Sequence, residues 1–290
     1  MLRHRLPTGI ALIAGLILVM WADAAVARLG WMPGTVLFAM LLLPFVVLAA
    51  REVEPILRGV ERPGDARSIA VGGIAGLTVV GLAAWLRFAA APDPSLWVVA
   101  VPAVIPVVFA WGMIWAGRKR QSATGLVSHM LSLGFGFLFL GLPAGAWLGL
   151  RVLESPAVLA AAVLTVKSCD IGAYFTGRLV GRHKWIPWLS PGKTWEGLAG
   201  GLVVSAGVAW ATAGGLGVAA GRPTAVILLA GAVLGLAGQL GDLFASAMKR
   251  DAGVKDFATT IPGFGGVLDV TDSLLMTGPL VFALFLWAES

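Results

Sequence analysis

Eight ionisable side chains, Asp242, Lys249, Arg250, Asp251, Lys255, Asp256, Asp269 and Asp272, lie between residues 242 and 272, around a Gly-rich turn, Pro262 to Gly266. Long apolar runs flank them on both sides. A connection that merely joined two membrane helices would need a few turn residues, whereas alternating acids and cations beside a turn that admits close backbone approach are the materials of a phosphate and metal site at a membrane surface. In the run before this stretch, Gly231, Gly235, Gly238, Asp242, Ser246 and Lys249 recur at helical spacing and line one face. The glycines let a neighbouring helix come close, and the same face then presents an acid, a hydroxyl and a cation. Asp242 sits about one turn inside the expected membrane boundary, where an uncompensated carboxylate costs on the order of 3 kcal/mol, so a cation or metal should accompany it. The structural alternative is an Asp that snorkels to the interface or pairs with Lys249.

Asp269 and Asp272, three residues apart, project from nearly the same helix face and repel unless a cation lies between them. The alternative is capping, with Asp269 as N-cap and Asp272 in the positive first turn. The preceding Pro-Gly-Phe-Gly-Gly turn favours a ligand, and with Asp242 the acids would make an oxygen cage suited to magnesium and substrate phosphates. A second polar cluster runs from Asp170-Ile-Gly-Ala-Tyr-Phe-Thr-Gly177 to Ser190-Pro-Gly-Lys-Thr-Trp-Glu-Gly197. Its Gly-Lys-Thr is not a P-loop, because Pro187 stands where that motif needs glycine and a strand should precede it. Ser190-Pro191 reads as an N-cap with proline at the first helical position, which puts Lys193 and Thr194 in the first turn, where amides, helix dipole and ammonium together suit an anion.

The elements that must hold these groups are membrane helices. Hydrophobic residues are 58% of the 290 and charged residues 12%, with a mean hydropathy of +0.90, which excludes an ordinary soluble domain. Spans of roughly 20 apolar residues must be helical in lipid. The expected fold is therefore an all-α polytopic bundle with nine spans near 7–22, 34–50, 68–90, 96–116, 124–148, 156–175, 196–214, 224–247 and 273–288. The first span is not followed by an A-x-A-like cleavage site ahead of a soluble mature domain, so it is read as a span. With a cytoplasmic N-terminus, 17 of the 21 Lys and Arg fall on the cytoplasmic side and only Arg28, Arg87, Arg151 and Arg222 on the other. The net charge of +6 then describes a basic face for anionic headgroups and nucleotide phosphates. The Arg118 cluster is explained by topology alone. One cysteine excludes an internal disulfide, and three scattered histidines argue against zinc. Residues 1–160 read as transmembrane scaffold and 161–290 as the catalytic transmembrane region with polar loops.

The segment from Ser246 to Ser273 resembles the signature of the phosphatidate cytidylyltransferase (CDP-diacylglycerol synthase) family. Ser246, Lys249, Arg250, Lys255, Asp256, Pro262, Gly263, Gly265, Gly266, Asp269 and Asp272 match at the right spacing, and Gly241-Asp242-Leu243 and both segments of the second cluster resemble the family too. The likeness covers about residues 165–275. Phe264 stands where the family usually has His, and Val270 where it usually has Arg.

The resemblance implies a reaction: CTP and phosphatidic acid give CDP-diacylglycerol and pyrophosphate. It assigns Asp242 and Asp269 to Mg2+, with Asp272 in support, and Lys249, Arg250, Lys255 and Lys193 to the phosphates. Thr194, Ser246, Asp256, Asp170 and the turn glycines 263, 265 and 266 complete the substrate-binding set. The attacking phosphate is already ionised and needs no general base, so the missing imidazole is no obstacle. An integral protein of a bacterial inner membrane with a cytoplasmic site, acting on CTP and lipid and not on nucleic acid, is implied; a homodimer is left open. Three other readings compete with it. A CTP-dependent lipid kinase or other CDP-lipid synthase lacks the full signature, and an intramembrane aspartyl protease using Asp170 and Asp242 leaves the cations unexplained. A transporter would move substrate without putting CMP into lipid.

Overall fold

In a computed structural model the chain is described over residues 2–28, 35–58, 65–90, 125–217 and 221–289, together with Ala110, Ile114 and Arg118. Among the described residues eight bounded helices and one hairpin follow in order: α1 (Leu2–Arg28), α2 (Val36–Arg58), α3 (Ala66–Ala90), α4 (Leu126–Leu153), α5 (Pro156–Val180), β1 (Lys184–Ile186), β2 (Ser190–Thr194), α6 (Trp195–Leu216), α7 (Thr224–Asp251) and α8 (Val267–Glu289). Seven of them, α2 to α8, are long and apolar enough to cross a membrane. They coincide with seven of the nine expected spans. The expected first span lies in α1, whose described apolar stretch, Ala14–Val26, is shorter. The expected span at 96–116 lies almost wholly outside the described residues.

The chain divides into two compact units: Met1–Leu153 with Asp256–Val270, and Glu154–Lys255 with Thr271–Ser290. In the first, α3 and α4 pack backbone to backbone. A Cβ at Gly76 would meet Gly141 Cα at 2.9 Å, and one at Gly145 would meet Val80 Cβ at 2.7 Å. Where they touch, α4 widens into a π-turn over Gly136–Gly141, the kind of local unwinding that accommodates an extra residue inside a helix. Nothing larger than hydrogen fits on these faces, which is how membrane helices gain dispersion contact when lipid offers no hydrophobic drive. Arg151 of α4 is buried on Asp23 of α1 at 2.8 Å, and Asp23 also accepts from the Leu37 amide at 3.2 Å.

The second unit repeats the device. A Cβ at Gly201 of α6 would meet the Cys169 carbonyl of α5 at 2.7 Å, one at Gly235 of α7 would meet Ser205 Oγ at 2.8 Å, and one at Gly241 would meet the Asp272 carbonyl of α8 at 2.7 Å. The glycine track seen in the sequence thus does what its spacing implies. Ser205 Oγ lies 2.9 Å from the Thr165 carbonyl and 2.8 Å from that of Gly231, linking α5, α6 and α7.

The start of α6 differs from the expectation. Ser190 is not its N-cap: Ser190 to Thr194 are extended and pair antiparallel with β1, Ile186 against Ser190 and Lys184 against Thr194. The cap is Thr194, at φ −128 and ψ 155, whose Oγ1 accepts from the Gly197 amide at 3.1 Å. Lys193 is therefore a strand residue, not a first-turn one. The hairpin wins because Trp195 N donates to the His183 carbonyl at 3.0 Å and Glu196 accepts from the Arg182 and His183 amides, which fastens β1 to the helix start. A strand thus does precede Gly-Lys-Thr, but Pro187 still fills the glycine position and the strand is a hairpin partner.

Candidate functional site

A chain of polar contacts runs through the helices of the second unit. Lys193 Nζ reaches from β2 to Asp242 Oδ2 of α7 at 2.8 Å. It also donates to Gln239 Oε1 at 2.8 Å and lies 5.9 Å from the centre of the Trp185 ring. Gln239, 4% exposed, donates its Nε2 hydrogen to Asp170 Oδ1 of α5 at 2.7 Å. Asp170 is 4.0 Å from Lys167 Nζ, which donates to Ser273 Oγ of α8 at 2.6 Å. Asp272 is buried, accepts from the Ser273 amide at 2.6 Å and lies in electrostatic reach of Asp242, Lys167 and Lys249.

This arrangement places Asp170, Asp242 and Asp272, from three helices, among the ammonium groups of Lys167, Lys193 and Lys249. Burying one such charge alone is costly, and the alternating signs are what make the cluster tenable in a membrane. Asp242 is thus accompanied by a cation, as its depth requires, and that cation is Lys193 from the hairpin. Its carboxylate is 34% exposed, so it remains open to a ligand. The chemistry on offer is a set of hard oxygen donors beside displaceable ammonium groups, suited to a polyanion and its counter-cation. Among the described residues no three of His, Cys, Asp or Glu converge as a ready-made metal cluster.

The signature loop has an architecture of its own. Gly253, at φ +70, closes α7, with Val254 N donating to the Lys249 carbonyl at 2.9 Å. Arg250 is exposed and donates to the Val254 carbonyl at 3.2 Å, and Lys255 and Asp256 are exposed as well. Pro262 and Gly263, at φ +83, take the second and third places of a tight turn closed by Phe264 N on the Ile261 carbonyl at 3.1 Å, as a type II turn requires. Phe264 occupies the fourth place and points outward, 37% exposed.

Asp269 is not the N-cap of α8. The helix starts at Val267, and from its first turn Asp269 Oδ2 accepts from the amides of Gly266 and Phe257, each at 2.8 Å. Asp272 lies beyond that turn. What approaches Gly265 and Gly266 most closely is protein carboxylate: Asp269 at the former, Glu52 at the latter. Asp256, the turn glycines and Asp269 belong to the first compact unit; Asp170, Lys193, Thr194, Asp242, Ser246, Lys249, Arg250, Lys255 and Asp272 belong to the second. Thr194 is buried in its capping role, and Ser246 is half-buried on α7.

A family model described as "Cytidylyltransferase family" matches residues 8–288. The chain belongs to the cytidylyltransferase family. Among its relatives, a protein named phosphatidate cytidylyltransferase from Pseudomonas aeruginosa is 38% identical over 178 residues, 60% of each chain. One of the same name from Bacillus subtilis is 42% identical over 123 residues, 42% of this chain and 45% of the relative. The Escherichia coli protein named "Uncharacterized protein YnbB" is 35% identical over 194 residues, 65% of this chain and 63% of the relative. The chain thus spans about three fifths or less of the length of these curated relatives.

For this member of the family, the sequence alone did not single out Gln239 or Ser273, and it counted Lys167 only among the 17 cytoplasmic Lys and Arg. The signal was present: Gln239 lies three residues before Asp242 in an apolar run, and Lys167 three before Asp170. A polar group at such depth needs a partner. Glu52, far upstream, gave no such signal.

Proposed function

We propose that the chain is a phosphatidate cytidylyltransferase, transferring CMP from CTP to phosphatidic acid. The observation that carries the reading is the meeting of Lys193, from the Gly-Lys-Thr segment, with Asp242 of the Gly-Asp-Leu segment at 2.8 Å, in a chain whose family is that of cytidylyltransferases. A phosphate oxygen of the lipid attacks the α-phosphorus of CTP in line. The new P–O bond forms as the bond from that phosphorus to the oxygen bridging the β-phosphate breaks, and pyrophosphate departs with the bonding pair. The nucleophile is ionised near neutral pH, so no residue has to remove its proton.

Lys193, Lys249, Arg250 and Lys255 neutralise triphosphate and lipid phosphate, which would otherwise repel each other. Asp170, through Gln239, sets the position of the Lys193 ammonium, while Thr194, as the cap of α6, fixes the end of the strand that carries Lys193 and Ser246 adds a hydroxyl on the α7 face of Asp242. The acids suit magnesium by donor chemistry, all oxygen, and Asp242 already accommodates positive charge. Asp242, with Asp272, would hold Mg2+, which would supply charge stabilisation for the transfer; the assignment of Asp269 to the metal rests on the family resemblance. The positive-inside pattern supports a cytoplasmic site in a bacterial inner membrane.

The test is direct. Purified protein in detergent, given radiolabelled CTP, phosphatidic acid and magnesium, should carry label into the lipid phase. Label confined to the aqueous phase in folded protein would overturn the proposal.

A further inference from the structure

Glu52 lies near the C-terminal end of α2, just past its apolar run and among Arg51, Glu54 and Arg58, and is 5% exposed. A carboxylate so placed costs several kcal/mol unless its lone pairs are satisfied. Its partners come from the signature loop, more than 200 residues away in sequence. Glu52 Oε1 accepts from Thr260 Oγ1 at 2.7 Å and from the Val267 amide at 2.9 Å, and Oε2 accepts from the Leu268 amide at 2.9 Å. Val267 and Leu268 open α8, so the acid fills the positive end of that helix dipole, where unpaired amides are concentrated. Gly266 has no side chain because the Glu52 carboxylate occupies that space. The next amide back, that of Gly266, goes to Asp269.

Two carboxylates therefore share out the amides at the start of α8, and this has a consequence for the turn. These amides are not available as a phosphate cradle, so substrate anions must be met by side-chain cations. It also means that the direction in which Asp269 leaves the helix is set by an acid from the N-terminal half of the chain. We propose that Glu52 is a positioning residue: it holds the signature loop and the first turn of α8 in the register that Asp269 needs. This rests on the reading of the chain as a cytidylyltransferase with Asp269 at the metal.

A Gln at position 52 keeps the shape but not the acceptors. Its single carbonyl oxygen can serve Thr260 and Val267, and its amide nitrogen then confronts the Leu268 N–H donor to donor. The experiment compares wild type, Glu52→Gln, Glu52→Asp and Thr260→Val as full-length protein in detergent, with two readouts. Hydrogen–deuterium exchange in Glu52→Gln should quicken at least tenfold over residues 256–270 and remain unchanged in α5 and α7. Unchanged exchange over 256–270 would overturn the anchor, whether or not the protein transfers CMP. Among folded molecules, Glu52→Gln should lower kcat at least tenfold and raise the magnesium concentration for half-maximal activity at least threefold, with Thr260→Val following two- to threefold in the same directions and Glu52→Asp recovering part of the loss. An active wild type beside a Glu52→Gln variant that exchanges faster but keeps both kinetic constants within twofold would reduce Glu52 to a structural anchor and overturn the positioning role. A wild type that transfers no CMP would sink the proposed function, while exchange over 256–270 still decides the anchor.

Discussion

The buried and half-buried acids of the two compact units are used in opposite ways. In the first, Asp23 faces Arg151 and the Leu37 amide, Glu52 accepts from two amides and a hydroxyl, and Asp65 accepts from the Arg67 amide and Ser68 Oγ; Asp269 gives one oxygen, Oδ2, to two amides. Backbone amides cannot leave, so such contacts fix geometry. In the second unit Asp170, Asp242 and Asp272 face lysine ammonium groups and a glutamine on long side chains. Those partners can swing from carboxylate to phosphate with little change in backbone. Acids tied to amides build a frame; acids tied to lysines can exchange partners.

The comparison is broken most severely at Asp242. Asp242→Asn should lower turnover at least about a thousandfold in inserted, folded protein, as should Asp269→Asn, and EDTA should do the same to wild type. Near wild-type activity in either variant removes that residue from the metal assignment.

Next come the cations. Lys249→Ala, Arg250→Ala and Lys255→Ala should each raise KM for CTP or lower kcat by at least about tenfold, about 1.4 kcal/mol, whereas Arg118→Ala should change little. If all four behave alike in the transfer assay, the basic loop is only a topology signal.

The frame predicts a contrasting result. Arg151→Met leaves Asp23 buried without its cation and should cost about 3–5 kcal/mol of stability, read as a lower thermal midpoint in detergent, while kcat per folded molecule stays within twofold. Adding Asp23→Leu should restore much of the midpoint, since the pair is then replaced by apolar contact. A fall in kcat of tenfold or more in folded Arg151→Met would erase the distinction between frame and site.

The smallest effect belongs to the turn. Phe264 is exposed at the fourth place of its turn, and the nucleophile needs no base, so Phe264→His should leave the rate within a few-fold and add no ionisation near pH 6.5. A hundredfold gain with a new ionisation near neutrality would mean that the wild-type chain lacks a working proton-transfer group.

Much of this was legible in the residues in order. Hydropathy located the seven long helices because the requirement for some 20 apolar residues is local, and the glycine track on α7 was readable because helical spacing is local too. The acids and cations of the signature loop were equally plain. Thr194 was missed as the cap because a Ser-Pro pair carries the same local signal, and the preference for a hairpin rests on Glu196 and Trp195 reaching back to residues 182 and 183. The capping alternative for Asp269 misplaced the start of the helix for a similar reason. The amides that begin α8 donate to Glu52, 215 residues away from Val267.

By itself, then, the sequence determined a helical membrane protein, the positions of most spans and the signature that carries its family. Those properties follow from lipid's demand for apolar, internally hydrogen-bonded segments and from side chains close together in the chain. Only the tertiary structure decided that Asp242 meets Lys193, that Gln239 joins it to Asp170, and that Glu52 holds the start of α8. In a low-dielectric interior an acid must find a partner, but which partner is near depends on how each helix is rotated against its neighbours. Glycine faces pressed against backbone set that rotation, and no short stretch of sequence contains it.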